Sequence, residues 1–148
     1  MTTIYLAGPV FTLAEREFNR RLADELIEHR KDVEVILPQE RAKKLLAEEN
    51  GLELIFRDCL EIIERCDVVI SILDGPDADS GTCIELGYAY ARKIPIIGVR
   101  TDFRLSEDRG LNLMVSHVCQ HLIRSNPDTT ADLAHSILES MISAKLII

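Results

Sequence analysis

Residues 68–73 constrain the fold of this chain more than any other segment, because five of the six are apolar and Ser71 is the only polar one. A strand with one face in water alternates apolar and polar side chains, whereas a strand inside a parallel sheet is buried on both faces and is apolar throughout. Residues 68–73 are therefore predicted to be a central strand of a parallel sheet. Such a sheet requires helices that cover both of its faces.

Segments with strand and helix periodicity alternate along the chain. The predicted strands are residues 4–9, 33–37, 68–73 and 94–99, with a weaker pattern over 116–123. The predicted helices are residues 13–29, a polar helix after Pro38, 52–65, 82–92 and 129–143, with a polar loop over 101–110. This alternation with short connections is typical of β-α-β crossovers. We therefore predict one α/β domain over residues 1–148, a doubly wound (flavodoxin/Rossmann-like) parallel sheet of about five strands with helices on both faces.

Composition limits the partners of the protein. The formal net charge of −8 disfavours nucleic acid, because binding phosphates requires clustered Lys and Arg. No apolar run is long enough to span a membrane, and the amino terminus shows no secretory signal, so neither a membrane partner nor export is expected. The four cysteines form no CxxC pair and have no histidines at zinc-like spacing, which predicts reduced, buried thiols, a cytoplasmic location and no metal.

Four carboxylates occur within the twelve residues 74–85, directly after the predicted central strand: Asp74, Asp77, Asp79 and Glu85. Open α/β sheets bind ligands at the carboxyl ends of their strands, so this loop is a candidate ligand site. The ends of the first two strands should lie at the same edge and bring Gly8 and Gln39 to it. The chain has no GxGxxG and no GxxxxGK[ST] motif, so a dinucleotide or a P-loop phosphate site is not expected.

Glu85 has two interpretations from the residues alone. Thr82 and Glu85 fit a capping box with Thr82 as N-cap, which is a purely structural role. Alternatively, Asp79 and Gly81 mark a ligand site, because a glycine lets a ligand approach the backbone closely. In that case the positive end of the helix dipole would keep Glu85 ionised. An ionised, oriented carboxylate can attack an anomeric carbon and form a covalent glycosyl-enzyme.

Three motifs, in this order along the chain, resemble the nucleoside 2-deoxyribosyltransferase family. They are YLAGPVF at residues 5–11, DSGTCIELGYA at residues 79–89 and NLM at residues 112–114, and the second is the most specific. The resemblance covers residues 4 to about 114. It implies a nucleoside-salvage enzyme that moves the 2-deoxyribosyl group between nucleobases with net retention, through a covalent intermediate and without a cofactor.

The same resemblance implies roles for individual residues. Glu85 would be the nucleophile that attacks C1′ of a deoxynucleoside, and Tyr5 would orient it. Asp79 would hold the sugar hydroxyls. Asn112 would contribute to the site of a neighbouring subunit, so the resemblance implies a homo-oligomer. The other predicted substrate-binding residues are Gly8, Gln39, which falls near a position that contacts the base, and Gly81.

One position departs from the family pattern. Members usually carry an aspartate eight residues before the aspartate that opens the third strand, and this residue is a candidate for protonating the departing base. Counting back from Asp67 reaches Cys59, and Asp58 precedes it. One helical position is a rotation of about 100°. Either Asp58 reaches the site as the general acid, or Asp58 is a solvated helix carboxylate and the acid is missing. A missing general acid would lower the rate by a factor on the order of 10²–10⁴.

Two further functions stay open at this point. The first is hydrolysis of deoxynucleoside 5′-monophosphates, because a related branch of the family keeps the same glutamate. In the sequence pattern of that branch, a serine stands where this chain has Asp79. A carboxylate at this position would repel a 5′-phosphate. The second is a nucleoside-binding module without turnover, which the departure at Cys59 motivates. The sequence does not specify whether the base is a purine or a pyrimidine.

Overall fold

The computed structural model describes residues 1–105 and 110–148, so that residues 106–109 of the predicted polar loop lie outside the described part. Five parallel strands form one sheet in the order β2-β1-β3-β4-β5. The strands are β1 (Thr2–Ala7), β2 (Val33–Ile36), β3 (Val68–Ile72), β4 (Ile96–Arg100) and β5 (His121–Arg124). This is the flavodoxin-like order. The predicted fold class is confirmed.

Helices cover both faces of the sheet. Within the described residues they are α1 (Leu13–His29), α2 (Pro38–Leu45), α3 (Gly51–Arg65), α4 (Ser80–Ala91), α5 (Leu113–Val118) and α6 (Thr130–Ser143). On one face, α1 and α6 pack their apolar side chains against β1 and β3 in one buried cluster. On the other face, α3 and α4 contribute Ile62, Ile63 and Leu86 to a second cluster that contains Tyr5. All five residues of β3 are buried, which confirms the central strand.

Two predicted elements differ from the structure at their boundaries. Helix α4 begins at Ser80 instead of residue 82, because Asp79 is its N-cap. The weak pattern over residues 116–123 predicts a strand, but only its end, from His121 on, belongs to one, which is β5. The preceding residues belong to α5, whose N-cap is Asn112. An asparagine side chain that accepts a backbone N–H favours the start of a helix over continued strand pairing.

The carboxyl ends of β1, β2 and β3 lie side by side, as predicted. Tyr5 of β1 pairs in register with Ile36 of β2 and with Val69 of β3. The strand order reverses between β1 and β3, which makes a crevice at their carboxyl ends. Gly8 follows β1 there, and a Cβ atom at this position would lie 3.1 Å from the Cβ of Ile72. The absence of a side chain at Gly8 therefore lets the first loop pack closely against β3.

Other sequence expectations concern the membrane and the cysteines. None of the helices within residues 1–105 and 110–148 combines the length and the apolar character needed to cross a membrane. All four cysteines are free. Cys66 is buried, as predicted, whereas Cys59, Cys83 and Cys119 are partly exposed.

The Asp74 side chain connects the ends of β3 and β4 through hydrogen bonds. Its carboxylate accepts hydrogen bonds from Thr101 N at 2.6 Å, Thr101 Oγ1 at 2.5 Å and Asp102 N at 2.9 Å. Asp77 accepts one bond, from the N–H of the next residue, Ala78. Two of the four carboxylates of the acidic loop are thus used to shape the loop.

Asp74→Ala is expected to lower the free energy of unfolding by about 2–3 kcal/mol, because three hydrogen bonds to a half-buried carboxylate are lost together. Asp77→Ala is the matched control and should cost under about 1 kcal/mol, since one local bond is lost. Urea unfolding followed by circular dichroism measures both. Equal losses for the two variants would contradict the role assigned to Asp74.

Candidate active site

Tyr5 and Glu85 meet on the face of the sheet that α3 and α4 cover. The Tyr5 hydroxyl donates a hydrogen bond to Glu85 Oε1 at 2.6 Å. The tyrosine is fully buried in β1, whereas Glu85 in α4 is partly exposed. Because the ring is fixed by the core around it, the hydroxyl holds the carboxylate in a defined orientation. The structure thus brings together the predicted nucleophile and the tyrosine predicted to orient it.

The capping-box prediction for Thr82 and Glu85 is wrong. Asp79 is the N-cap of α4, and its Oδ2 accepts bonds from Thr82 N at 2.8 Å and Thr82 Oγ1 at 3.0 Å. An N-cap side chain satisfies the N–H two or three positions on, so Thr82 is the third helical residue and is buried. Glu85 lies three residues further along α4, and its carboxylate is bound to Tyr5 instead of the helix start.

Burial has the largest effect on the pKa of Glu85. It raises the pKa of the carboxyl group above its ordinary value, and the nearby charge of Asp79 raises the pKa further. The hydrogen bond from the Tyr5 hydroxyl opposes this, because it stabilises the ionised form, and the nearby Cys59 thiol also lowers the pKa. That the helix dipole holds Glu85 ionised stays a prediction. Burial and the charge of Glu85 raise the pKa of Tyr5 far above its ordinary value, so that tyrosine stays a hydrogen-bond donor.

The rotation of α3 decides which of two adjacent residues faces Tyr5 and Glu85. Asp58 forms a bidentate ion pair with Arg41 of α2, with Arg41 Nε 2.6 Å from Asp58 Oδ2. Cys59, one position on, instead lies near enough to affect the pKa values of both Tyr5 and Glu85. The structure thus directs Asp58 toward α2 and Cys59 toward the predicted nucleophile. The role of Asp58 as a general acid stays a prediction.

Gln39 lies at the start of α2 and connects this helix to α1. Its Nε2 donates to the carbonyl of Arg16 at 2.9 Å, and its Oε1 accepts from Asn19 Nδ2 at 3.3 Å. The buried Asn19 also donates to the carbonyl of Pro9, in the loop after β1. The Gln39 amide therefore has a structural function, and contact with a base stays a prediction. Nothing in the periodicity of α1 distinguished Asn19 from the polar residues on its exposed face.

The other predicted binding residues lie at helix starts. Gly81 is exposed in the first turn of α4, where a Cβ atom would lie 3.2 Å from Asp79 Oδ2. Asn112 caps α5, accepts a bond from Met114 N at 2.9 Å and is exposed. Gly81 and Asp79 therefore share one edge with Gly8, whereas Asn112 presents its side chain at the surface. Within the described residues no cluster of His, Cys, Asp and Glu side chains is suited to a metal ion.

Similarity to known proteins identifies the family. The chain belongs to the nucleoside 2-deoxyribosyltransferase family, whose model matches residues 4–114. An uncharacterised protein of Schizosaccharomyces pombe is 35% identical over 116 residues, which cover 72% of this chain and 53% of that protein. The chain thus spans about half the length of that relative.

Solved structures share the fold. A conserved protein from Enterococcus faecalis V583 has a TM-score of 0.74 at 27% identity, over 95% of this chain and 99% of the other. A 2-deoxyribosyltransferase from Bacillus psychrosaccharolyticus has a TM-score of 0.66 at 23% identity, over 90% of each chain. A CMP N-glycosidase from Clostridium botulinum has a TM-score of 0.62 at 20% identity, over 92% of this chain and 98% of the other. The last two likenesses concern the fold alone.

Glu85→Gln is expected to stabilise the protein at neutral pH. A carboxyl group whose pKa is raised on folding stabilises the native state below its ordinary pKa and loses that contribution as pH rises through the folded-state pKa. Glutamine is neutral at every pH and keeps an oxygen that accepts the bond from Tyr5. The stability advantage of the variant should therefore be near zero below pH 4.5 and grow as the pH rises above that value.

Urea unfolding at several pH values measures this difference. Glu28→Gln, which changes an exposed glutamate of α1, is the control and should give a difference that varies little with pH. A Glu85→Gln variant that is less stable than the wild type at neutral pH would contradict the electrostatic description of the site.

Proposed function

We propose that this protein cleaves the N-glycosidic bond of a 2′-deoxynucleoside and transfers the 2-deoxyribosyl group to a second nucleobase. Family membership supports glycosyl transfer as the reaction class. The observation that carries the assignment to Glu85 is its contact with the buried Tyr5 hydroxyl at the point where the strand order reverses. A carboxylate that serves only a helix start has no need of a partner on the neighbouring strand.

The proposed reaction has two displacement steps at C1′. In the first, a Glu85 oxygen attacks C1′, the C1′–N bond breaks with its electron pair going to the base, and the base takes up a proton. In the second, a nitrogen of the incoming base attacks C1′, loses its proton and releases the Glu85 carboxylate. Two inversions give net retention. Asp58 supplies the first proton only if it leaves its ion pair with Arg41, and otherwise the proton comes from water.

Asp79 supports an unphosphorylated substrate. One of its oxygens binds Thr82, and the carboxylate lies at the same edge of the sheet as Gly8. A carboxylate can accept bonds from sugar hydroxyls, whereas it repels a 5′-phosphate. Hydrolysis of deoxynucleoside 5′-monophosphates is the second candidate. The exposed start of α4 at Ser80 and Gly81 favours it, because free backbone N–H groups at a helix N-terminus attract phosphate.

We further propose that the reaction serves nucleoside salvage in the cytoplasm. Four free cysteines suit a reducing compartment. The salvage role follows from the substrates of the family, which are nucleosides and nucleobases.

Incubation of the protein with a 2′-deoxynucleoside and a different free base should produce the exchanged nucleoside, detected by liquid chromatography. Glu85→Ala should lower the exchange rate by at least about 10³-fold, because the covalent step is lost. The control Glu28→Ala changes an exposed glutamate on the opposite side of the sheet and should keep wild-type activity.

Parallel reactions distinguish the alternatives. Cleavage of a deoxynucleoside 5′-monophosphate in water without base exchange would replace the transferase by the hydrolase. Binding of deoxynucleosides by calorimetry without turnover of either substrate would favour a non-catalytic module. Asp79→Ser should shift preference from the nucleoside toward the monophosphate, because the repelling charge is removed.

We propose that the active unit is a homo-oligomer in which Asn112 completes the site of a neighbouring subunit. Asn112 is exposed, so its side-chain amide can reach a second chain while its oxygen caps α5. The adjacent Leu113 and Met114 are 55% and 73% exposed, which provides apolar surface for such a contact.

Subunit mixing tests this arrangement. Glu85→Gln and Asn112→Ala should each be nearly inactive alone. If the protein is a dimer, co-refolding the two variants should restore roughly a quarter of wild-type activity, because about half of the dimers are mixed and each mixed dimer has one intact site out of two. Mixing Glu85→Gln with Glu85→Ala is the control and should restore none. If the first mixture recovers no activity, Asn112 acts in the site of its own subunit, and the shared-site proposal is contradicted.

A further inference from the structure

The solvent-facing side of α4 carries no charge. Glu85 is the only charged residue of this helix, and its carboxylate binds Tyr5 on the opposite side. Two large apolar side chains lie in solvent instead, since Ile84 is 65% and Tyr90 56% exposed. A helix with one face in water normally places charged and polar side chains there. The exposed side of α4 therefore has the composition of a contact surface.

Gly87 lies on the same side of α4, and no packing among the described residues requires a glycine there. Apart from its chain neighbours and the backbone of its own helix, no described residue has an atom within 4 Å of the place that a Cβ atom would occupy. A glycine inside a helix is less favourable than an alanine, because it loses more conformational freedom. The exposed Ala91, one turn further on, extends the small surface. A second helix could therefore approach the backbone of α4 closely at this point.

These residues form a self-complementary surface, which we call the α4 face and define as Ile84, Gly87, Tyr90 and Ala91. Ile84 projects from the helix, and Gly87, three residues on, leaves a gap beside the backbone. Residues three apart are neighbours on a helix surface. When two copies of α4 cross at a two-fold axis, Ile84 of each copy can enter the gap at the partner subunit's Gly87, so that the same contact is made twice.

The charge of the protein also favours a second copy at this place. A formal charge of −8 on each chain opposes self-association, and the opposition is smallest where acidic side chains are absent. The α4 face has none. A basic partner would be recognised by exposed carboxylates. The α4 face offers no such group and therefore fits a copy of itself better than a charged partner.

We propose that two copies of this chain pair through the α4 face around a two-fold axis. This proposal specifies the surface of the homo-oligomer proposed above and rests on it. Helix α4 is only roughly 18 Å long, and a stable interface buries about 1,200–2,000 Å² in total. Helix α5 contacts α4, so its exposed Leu113 and Met114 extend the apolar surface. Asn112 begins α5 and thus lies close to the proposed interface.

The first test measures assembly without any turnover. Gly87→Leu fills the gap in both copies and should raise the dissociation constant of the dimer at least about 30-fold, as the loss of an interface hot spot does. The single chain should still fold, because the new side chain meets open space. Ala14→Leu, which enlarges a small exposed residue of α1, is the control and should leave the constant unchanged. Sedimentation velocity at several protein concentrations gives the constant, and circular dichroism checks folding.

The second test asks whether the partner is a copy of the same chain. Ile84→Asp and Ile84→Lys each place like charges together across the two-fold axis, so each variant alone should form a weaker dimer than the wild type. A mixture of the two pairs opposite charges and should favour the mixed dimer. Native mass spectrometry counts the three species. The same two charges at the exposed Ala14 are the control and should give about the statistical half of mixed dimers.

The outcomes distinguish this surface from the proposed reaction. A wild type that stays monomeric overturns the α4 contact and the shared site, whereas base exchange by that monomer would keep glycosyl transfer. A dimer that a folded Gly87→Leu variant leaves intact, or Ile84 variants that mix only statistically, overturn the α4 contact alone. If Gly87→Leu does not fold, the charged pair at Ile84 decides. A dimer that responds as expected, in a protein without turnover, supports the α4 contact and overturns the proposed function.

Discussion

The hydrogen bond between Tyr5 and Glu85 connects the interior of the sheet to the proposed chemistry. The tyrosine can hold the carboxylate because its ring is fixed in β1 between β2 and β3, and the carboxylate can be reached because α4 begins at the adjacent strand end. Burial raises the pKa of the carboxyl group, and the hydrogen bond from Tyr5 opposes that effect. Desolvation and hydrogen bonding therefore act on the pKa of Glu85 in opposite directions. Small changes among the neighbouring residues should alter the pH at which Glu85 becomes ionised.

Features with a strong local signal were predictable from the sequence. The apolar segment of β3 identified the centre of the sheet, and α1 has the predicted bounds because its apolar spacing is regular and Thr12 begins a capping box. The motifs around Tyr5 and Glu85 located the candidate site, since strand order then brings the ends of β1 and β3 together. The structure adds the contact between the two side chains.

Features that depend on competition between similar residues were not predictable. Asp79 and Thr82 are both good N-caps, and the interpretation of Glu85 depended on which of them begins α4. The apolar spacing of α3 does place Cys59 on the same face as Ile62 and Ile63, but it does not show which residue binds Asp58. The ion pair with Arg41, seventeen positions earlier in sequence, accompanies the observed orientation. Such contacts between helices become visible only when the helices are packed.

The choice of a thiol at position 59 changes how the site must handle protons. A carboxylate pair can share a proton between nucleophile and acid, but the ion-paired Asp58 does not point toward Glu85, and a thiol with a raised pKa is a poor acid near neutral pH. In the proposed reaction, the departing base would therefore take its proton from water, leave as an anion or already carry the proton. Bases that leave readily as anions or already protonated should be favoured over others, so the leaving group would decide the rate of the proposed reaction more strongly than it would with an aspartate at position 59.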